Sequence, residues 1–173
     1  NTVSPTFSKE LLSSNEYNGI GKVIFNNRKK DFWGILNGID TKFFNPQFDE
    51  FLPINFNKKN FKEVKLEIKK NLYKELSLKF DLKKPLVGFV SRISGQKGID
   101  LLIKFFDIVI KEKGYLIILG TGDLAYDVKK NCENCNRVIF IEKYDERLSH
   151  LIYGASDYFI MPSYFEPCGT SQM

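Results

Sequence analysis

An α/β fold with a parallel sheet covered by helices is what this sequence predicts, and three observations predict it. Residues 80 to 173 hold four short apolar runs, each continuous rather than alternating; each run is bounded by Gly, Pro or charge; and helical patterns fill the gaps. Continuous runs read as strands covered on both faces, whereas strict alternation would mark a strand with one wet face. Strand and helix alternating at this spacing argue for right-handed βαβ units, a Rossmann-like arrangement.

The strands are expected in "PLVGFV" (85–90), "YLIILG" (115–120), "RVIFIE" (137–142) and "DYFIMP" (157–162). "GIDLLIKFFDIVIKEKG" (98–114) puts Leu101, Leu102, Phe105, Ile108 and Val109 near one helical face and ends in a Lys-Gly stop. "DLAYDVKKNCEN" (123–134) and "DERLSHLIYGA" (145–155) fill the next two gaps. Upstream, "SPTFSKELLSS" (4–14) reads as a short helix capped by Ser4 with Pro5 in its first position. The aromatic, Asn-rich stretch from 22 to 57 has little periodicity and many turn signals. "FKEVKLEIKKNLYKELSL" (61–78) returns to an amphipathic helix, with Val64, Ile68, Leu72 and Leu76 at fourfold spacing. Three regions follow: residues 1–40 as the end of a preceding domain and its link, 41–80 as a connecting segment, and 81–173 as the first part of a Rossmann-like domain.

Composition narrows the function classes. With 173 residues, 43% hydrophobic and 27% charged, the chain has ordinary globular proportions and room for one sizeable core. No apolar run nears the roughly 18 residues of a membrane span. "NTVSPTFSKE" has no basic, then apolar, leader pattern and no initiator Met, which fits an internal piece of a longer chain. The net charge of +5 comes from lysines interleaved with Glu, as in "NKKNFKEVKLEIKKNLYKEL", a solvated helix face rather than a phosphate-tracking stripe. Nucleic acid is therefore not an expected partner. Cys132 and Cys135 form one C-x-x-C, without a second pair or a His at ligand spacing, so no metal site is expected. They read as solvated thiols of a reducing compartment, cytosol or plastid stroma.

In an open parallel sheet, ligands bind beyond the carboxyl ends of the strands. After the first strand comes "SRISGQKG", with Arg92 and Lys97 five positions apart on one loop, and Gly95 and Gly98 to let it turn tightly. After the second comes "GTGD", small enough for a close backbone approach. After the fourth comes "PSYFEPCGTSQ", with Glu166 and then Gly169-Thr170-Ser171 opening a helix whose amides suit phosphate. Turns need Gly and polar residues in any such domain, so each loop alone says little. Two cations, a carboxylate and a helix start at one edge suit a nucleoside diphosphate carrying an activated group. Nicotinamide is disfavoured, since there is no full G-x-G-x-x-G and no acidic residue serves a ribose.

"TVSPT", "GILNGID", "FNP", "PLVGFVSRISGQKG", "LGTGD", "LSHLIYGASDYFIMPS" and "FEPCGTSQM", in this order, resemble the bacterial-type glycogen synthases and plant starch synthases, glycosyltransferases of the two-Rossmann GT-B fold. The matches run from residue 2 to residue 173, and are least distinctive from 47 to 84. The resemblance implies retaining transfer of glucose from ADP-glucose, or UDP-glucose, to the non-reducing end of an α-1,4-glucan, with no cofactor. On matching positions, Arg92 and Lys97 would hold the donor diphosphate and Glu166 would lie beside the donor sugar, with Cys168 close by. Gly169 and Thr170 would offer backbone amides to phosphate, Asn37 would help position the sugar, and Tyr144 would line the base.

Departures accompany the likeness. Thr170-Ser171 stand where the family often has Leu followed by Asn or Thr, and no Lys-x-Gly-Gly loop is present. The implied protein is longer at both ends, with the acceptor-binding N-terminal domain absent, and residues 1–173 alone are expected to be inactive. Two alternatives stand beside this reading. Another GT-B sugar-nucleotide transferase would usually carry a second Glu seven residues after the first, where this chain has Met173. A non-catalytic glucan- or nucleotide-binding module would be free to lose Arg92, Lys97 or Glu166.

Overall fold

The computed structural model describes residues 1–13, 20–133 and 135–173. They form two compact units, Asn1–Asp40 with Phe165–Met173, and Thr41–Tyr164. Ser14 and Asn134, which end two of the expected helical stretches, lie outside the described residues.

The larger unit holds a four-stranded parallel sheet of β1 (Leu86–Val90), β2 (Tyr115–Leu119), β3 (Val138–Ile141) and β4 (Tyr158–Phe159), in the order β3-β2-β1-β4. Helix α3 (Phe61–Glu75) precedes β1, α4 (Ile99–Lys111) joins β1 to β2, α5 (Ala125–Cys132) joins β2 to β3, and α6 (Glu146–Ala155) joins β3 to β4. The strands sort their side chains with a period of two. Leu86, Tyr115, Ile117 and Leu119 pack with Ile68, Leu72, Leu148 and Ile152 of α3 and α6. Val87, Phe89, Leu116 and Ile118 pack with Leu102, Phe106, Val109 and Val128 of α4 and α5. Three layers result, with β1 and β2 buried on both faces. The outer strands are less covered than continuous apolar runs predict: β4 pairs over only two residues, and Tyr158 is 67% exposed. Among the described residues, each pairs with a strand on one side only.

Connectivity places the ligand edge. The chain steps from β1 to β2 to β3 in one direction, then crosses back so that β4 lies on the other side of β1. β1 and β4 are therefore adjacent parallel strands, and the loop after β1 meets the segment leaving β4 at their carboxyl ends, the edge where ligands bind in open α/β sheets.

Two helix faces differ from the sequence expectation. On α4 the core residues are Ile99, Leu102, Phe106 and Val109, while Leu101 and Ile108 are exposed. This helix is apolar around much of its circumference, so periodicity alone leaves its rotation open and the sheet chooses it. On α3, Ile68 and Leu72 are fully buried as expected, but Lys69 is buried with them. Its ammonium donates to the Lys84 carbonyl at 2.6 Å and to Asp157 Oδ2 at 2.8 Å. The same carboxylate oxygen accepts the Leu86 N–H at 2.7 Å, and Lys65 reaches the Ser156 carbonyl at 2.7 Å. Two lysines expected on a solvated face thus tie α3 to the ends of β1 and α6, because main-chain acceptors and a carboxylate wait there.

His150, on α6, is also buried. Its Nδ1 lies 2.7 Å from Asp49 Oδ2, Asp49 Oδ1 accepts the Phe51 N–H at 2.9 Å, and the rings of Phe43, Phe44 and Phe51 surround the imidazole. The Asn-rich segment that looked structureless is anchored by this pair.

In the smaller unit, α1 (Pro5–Ser13) starts as read, with Ser4 Oγ accepting the Phe7 N–H at 3.0 Å. Helix α2 (Ile20–Asn27) follows, and Thr2 bridges to Gly34 in parallel. Phe7 meets Phe165 edge-on at 5.3 Å.

Candidate functional site

At the carboxyl edge of the sheet in the 41–164 unit, each strand delivers a loop. Arg92 lies two residues beyond β1 and is exposed; Lys97 ends a single 3-10 turn, Gly95–Lys97, that leads into α4. Both cations lie on the loop that leaves β1 at the carboxyl edge of the sheet. Tyr144 follows β3 and is 84% exposed at the same edge.

The glycines act differently from one another. Gly98 has φ +67° and ψ +43°, a left-handed conformation that strains any residue with a Cβ, and a Cβ there would come within 2.1 Å of the Pro162 carbonyl oxygen. Nothing lies within 4 Å of the corresponding point on Gly95, so the expected tight turn rests on Gly98 alone. In "GTGD" the close approach is internal: a Cβ on Gly122 would sit 2.2 Å from the Ile93 carbonyl oxygen, and Ile93 N–H donates to the Thr121 carbonyl at 2.8 Å. These small residues let the loops after β1 and β2 lie against each other.

Sequence reasoning missed the partners of the loop after β1. Tyr164 N–H donates to the Gln96 carbonyl at 3.0 Å, and its hydroxyl donates to Asp100 Oδ2 at 2.6 Å. That hydrogen bond is the main reason the Asp100 carboxyl is held below its ordinary range and the Tyr164 phenol above its own. Asp100 was legible only as a first-turn acid of α4. No spacing rule links residues 64 apart in sequence.

Glu166, Cys168, Gly169, Thr170 and Asn37 belong to the smaller unit. There the structure joins two of them: the Asn37 backbone N–H donates to Cys168 Sγ at 3.3 Å. The stretch expected to open a helix at Gly169 begins with a 3-10 turn, Thr170–Gln172, in which Met173 N–H donates to the Thr170 carbonyl. Glu166 stands four residues before this turn in sequence.

The C-x-x-C pair differs from the solvated thiols expected. Cys132 and Cys135 are partly buried against the α4–α5 core, and burial pushes the Cys132 thiol up to about 11. Among the described residues, no group of three or more His, Cys, Asp or Glu could hold a metal ion, and no helix is long and apolar enough to cross a membrane.

The likenesses of the chain agree with this geometry. It is 39% identical to a glycogen synthase of Elusimicrobium minutum over 179 aligned residues, and 38% identical to one of Aeromonas salmonicida over 177; all of this chain is covered, but only 36% of either relative. Among solved structures it resembles the catalytic domain of starch synthase IV from Arabidopsis thaliana, bound to ADP and acarbose, with a TM-score of 0.86 and 39% identity over 99% of this chain and 36% of that one. A sucrose-phosphate synthase of Thermosynechococcus elongatus, at a TM-score of 0.53 and 16% identity, shares the fold. The chain spans about a third of the length of its glycogen synthase relatives. The family model "Glycosyl transferases group 1" matches residues 74–173, well over half the chain, and the chain belongs to that family.

Proposed function

We propose that the protein carrying these residues transfers glucose from ADP-glucose to the non-reducing end of an α-1,4-glucan, with retention of configuration. The observation that carries this reading is the placing of Arg92 and Lys97 on one loop at the carboxyl edge, beside the strand where the order reverses. The likeness to a starch synthase bound to ADP supports a nucleoside diphosphate as the occupant.

The anomeric C1–O bond of the donor breaks with its electron pair going to the diphosphate, and the acceptor hydroxyl passes its proton to the departing diphosphate oxygen as its own oxygen bonds to C1. Arg92 and Lys97 neutralise the charge growing on the leaving ADP, the kind of stabilisation that usually dominates such transfers. The resemblance assigns Glu166 and Cys168 to the donor sugar, Gly169 and Thr170 to phosphate through their amides, Asn37 to sugar positioning and Tyr144 to the base. The acceptor surface belongs to the longer protein. A compartment holding sugar nucleotide, cytoplasm or plastid stroma, fits these substrates.

The test is a titration of the full-length protein with ADP-glucose and UDP-glucose, alongside Arg92→Ala and Lys97→Ala, followed by radiolabelled transfer to glucan. Each variant should lose at least about tenfold in ADP-glucose affinity, the weight of one charge-assisted contact. Equal affinity in variants and parent would refute the diphosphate assignment. Residues 1–173 alone should extend no glucan, because the activated sugar must be enclosed with water excluded.

A further inference from the structure

The turn that presents Lys97 is braced by the segment leaving β4, and the brace has one long arm. Three contacts reach it at alternate residues: Tyr164 N–H on the Gln96 carbonyl at 3.0 Å, the Pro162 carbonyl seated against the bare Cα of Gly98, and the Tyr164 hydroxyl on Asp100 Oδ2 at 2.6 Å. They bracket Lys97 on both sides along the chain. Within the 3-10 turn, Lys97 N–H donates to the Ser94 carbonyl and Gly98 N–H to the Gly95 carbonyl, at 2.9 and 3.0 Å. A turn this short is weakly determined by local bonding, so what packs on it sets its shape.

We propose that Tyr164 is a positioning residue for the donor diphosphate, its phenol locking the first turn of α4 through Asp100 so that Lys97 is held ready for the anion. The inference rests on the reading that Lys97 binds that diphosphate. Tyr164 is suited to the task because its side chain and its own N–H grip Asp100 and Gln96 together, one on each side of Lys97. Tyr164 is 62% exposed, so the bond contributes order more than fold stability. Pre-organising a binding group raises affinity by removing the cost of ordering it on binding.

The experiment is calorimetric titration of the full-length protein with ADP and with ADP-glucose, using Tyr164→Phe, Asp100→Ala, Asp100→Asn, Lys97→Ala and the Tyr164→Phe/Lys97→Ala double variant. Tyr164→Phe and Asp100→Ala should each weaken binding about 3- to 10-fold, the weight of one hydrogen bond, with melting temperatures close to the parent. Asp100→Asn keeps an acceptor oxygen and should recover most of the affinity. In the Lys97→Ala background Tyr164→Phe should have no further effect, because its only route to the ligand is gone. That non-additivity is a signature a merely structural hydroxyl would not give. If Lys97→Ala weakens binding but Tyr164→Phe does not, or if the two losses simply add, the positioning role is wrong and the diphosphate reading stands. If Lys97→Ala itself leaves affinity unchanged, the reading fails and the inference with it.

Discussion

Replacing Lys69 by Met isolates the ion pair at the opposite end of the sheet from the ligand edge. The lysine side chain is 5% exposed and its ammonium holds two acceptors, the Lys84 carbonyl and Asp157 Oδ2. Met keeps most of the stem's volume and packing, so the change removes charge and donors rather than filling. Breaking a fully buried pair costs about 3–5 kcal/mol because the surviving charge is stranded. Here Asp157 is 41% exposed and keeps the Leu86 N–H, so water rescues part of its loss. The expected destabilisation is therefore about 1–3 kcal/mol, chiefly one unsatisfied carbonyl and a weakened carboxylate contact. Denaturant unfolding of the full-length protein, with Asp157→Asn and the double variant, measures it. The double variant should lose clearly less than the sum of the singles. A Lys69→Met protein within about 0.5 kcal/mol of the parent, the usual range for surface changes, would refute the account.

Three further outcomes are expected. Asp145 caps α6, its Oδ1 accepting the Leu148 N–H at 2.8 Å, and Asp145→Ala should cost about 1 kcal/mol in chemical unfolding. The Lys143 hydrogen bond, then the Leu148 N–H, hold the Asp145 carboxyl below its ordinary value. A depressed acid stabilises above its unfolded value of about 3.9 and loses that contribution as pH falls through the lower folded value, so the gap between parent and Asp145→Ala should narrow on acidification into that window. Cys132, pushed up to about 11 by burial, should alkylate with iodoacetamide at pH 8 roughly a hundredfold more slowly than an unperturbed thiol, as followed by peptide mass spectrometry. His150→Leu removes the buried imidazole partner of Asp49, which keeps the Phe51 N–H, and should destabilise by about 1–3 kcal/mol, whereas His150→Leu with Asp49→Asn should recover part of the loss.

Much of the architecture was legible in the chain because it depends on local pattern. β1 and β2 announce themselves as runs apolar at every position, which only a strand buried on both faces requires. Ser4-Pro5 marks a helix start through its own capping chemistry, which acts across three residues. Arg92 and Lys97 stood out by their place after a strand, a consequence of strand polarity in a parallel sheet.

Other features had no local signal. The lysines of α3 look alike in sequence, and only the meeting of that helix with the ends of β1 and α6 separates buried Lys69 from its solvated neighbours. The rotation of α4, hidden by apolar residues on most sides, was chosen by the sheet. His150 found Asp49 across 101 residues, and Tyr164 found Asp100 across 64. Sequence alone determined most of the segments that become strands and helices, and which family of motifs they carry, since periodicity and capping act over a few residues; α2 (Ile20–Asn27) is the exception, lying largely in a stretch with little periodicity. Tertiary structure alone decided which charges are buried, which glycine must stay bare and what steadies Lys97, because those depend on atoms that the chain brings together only by folding.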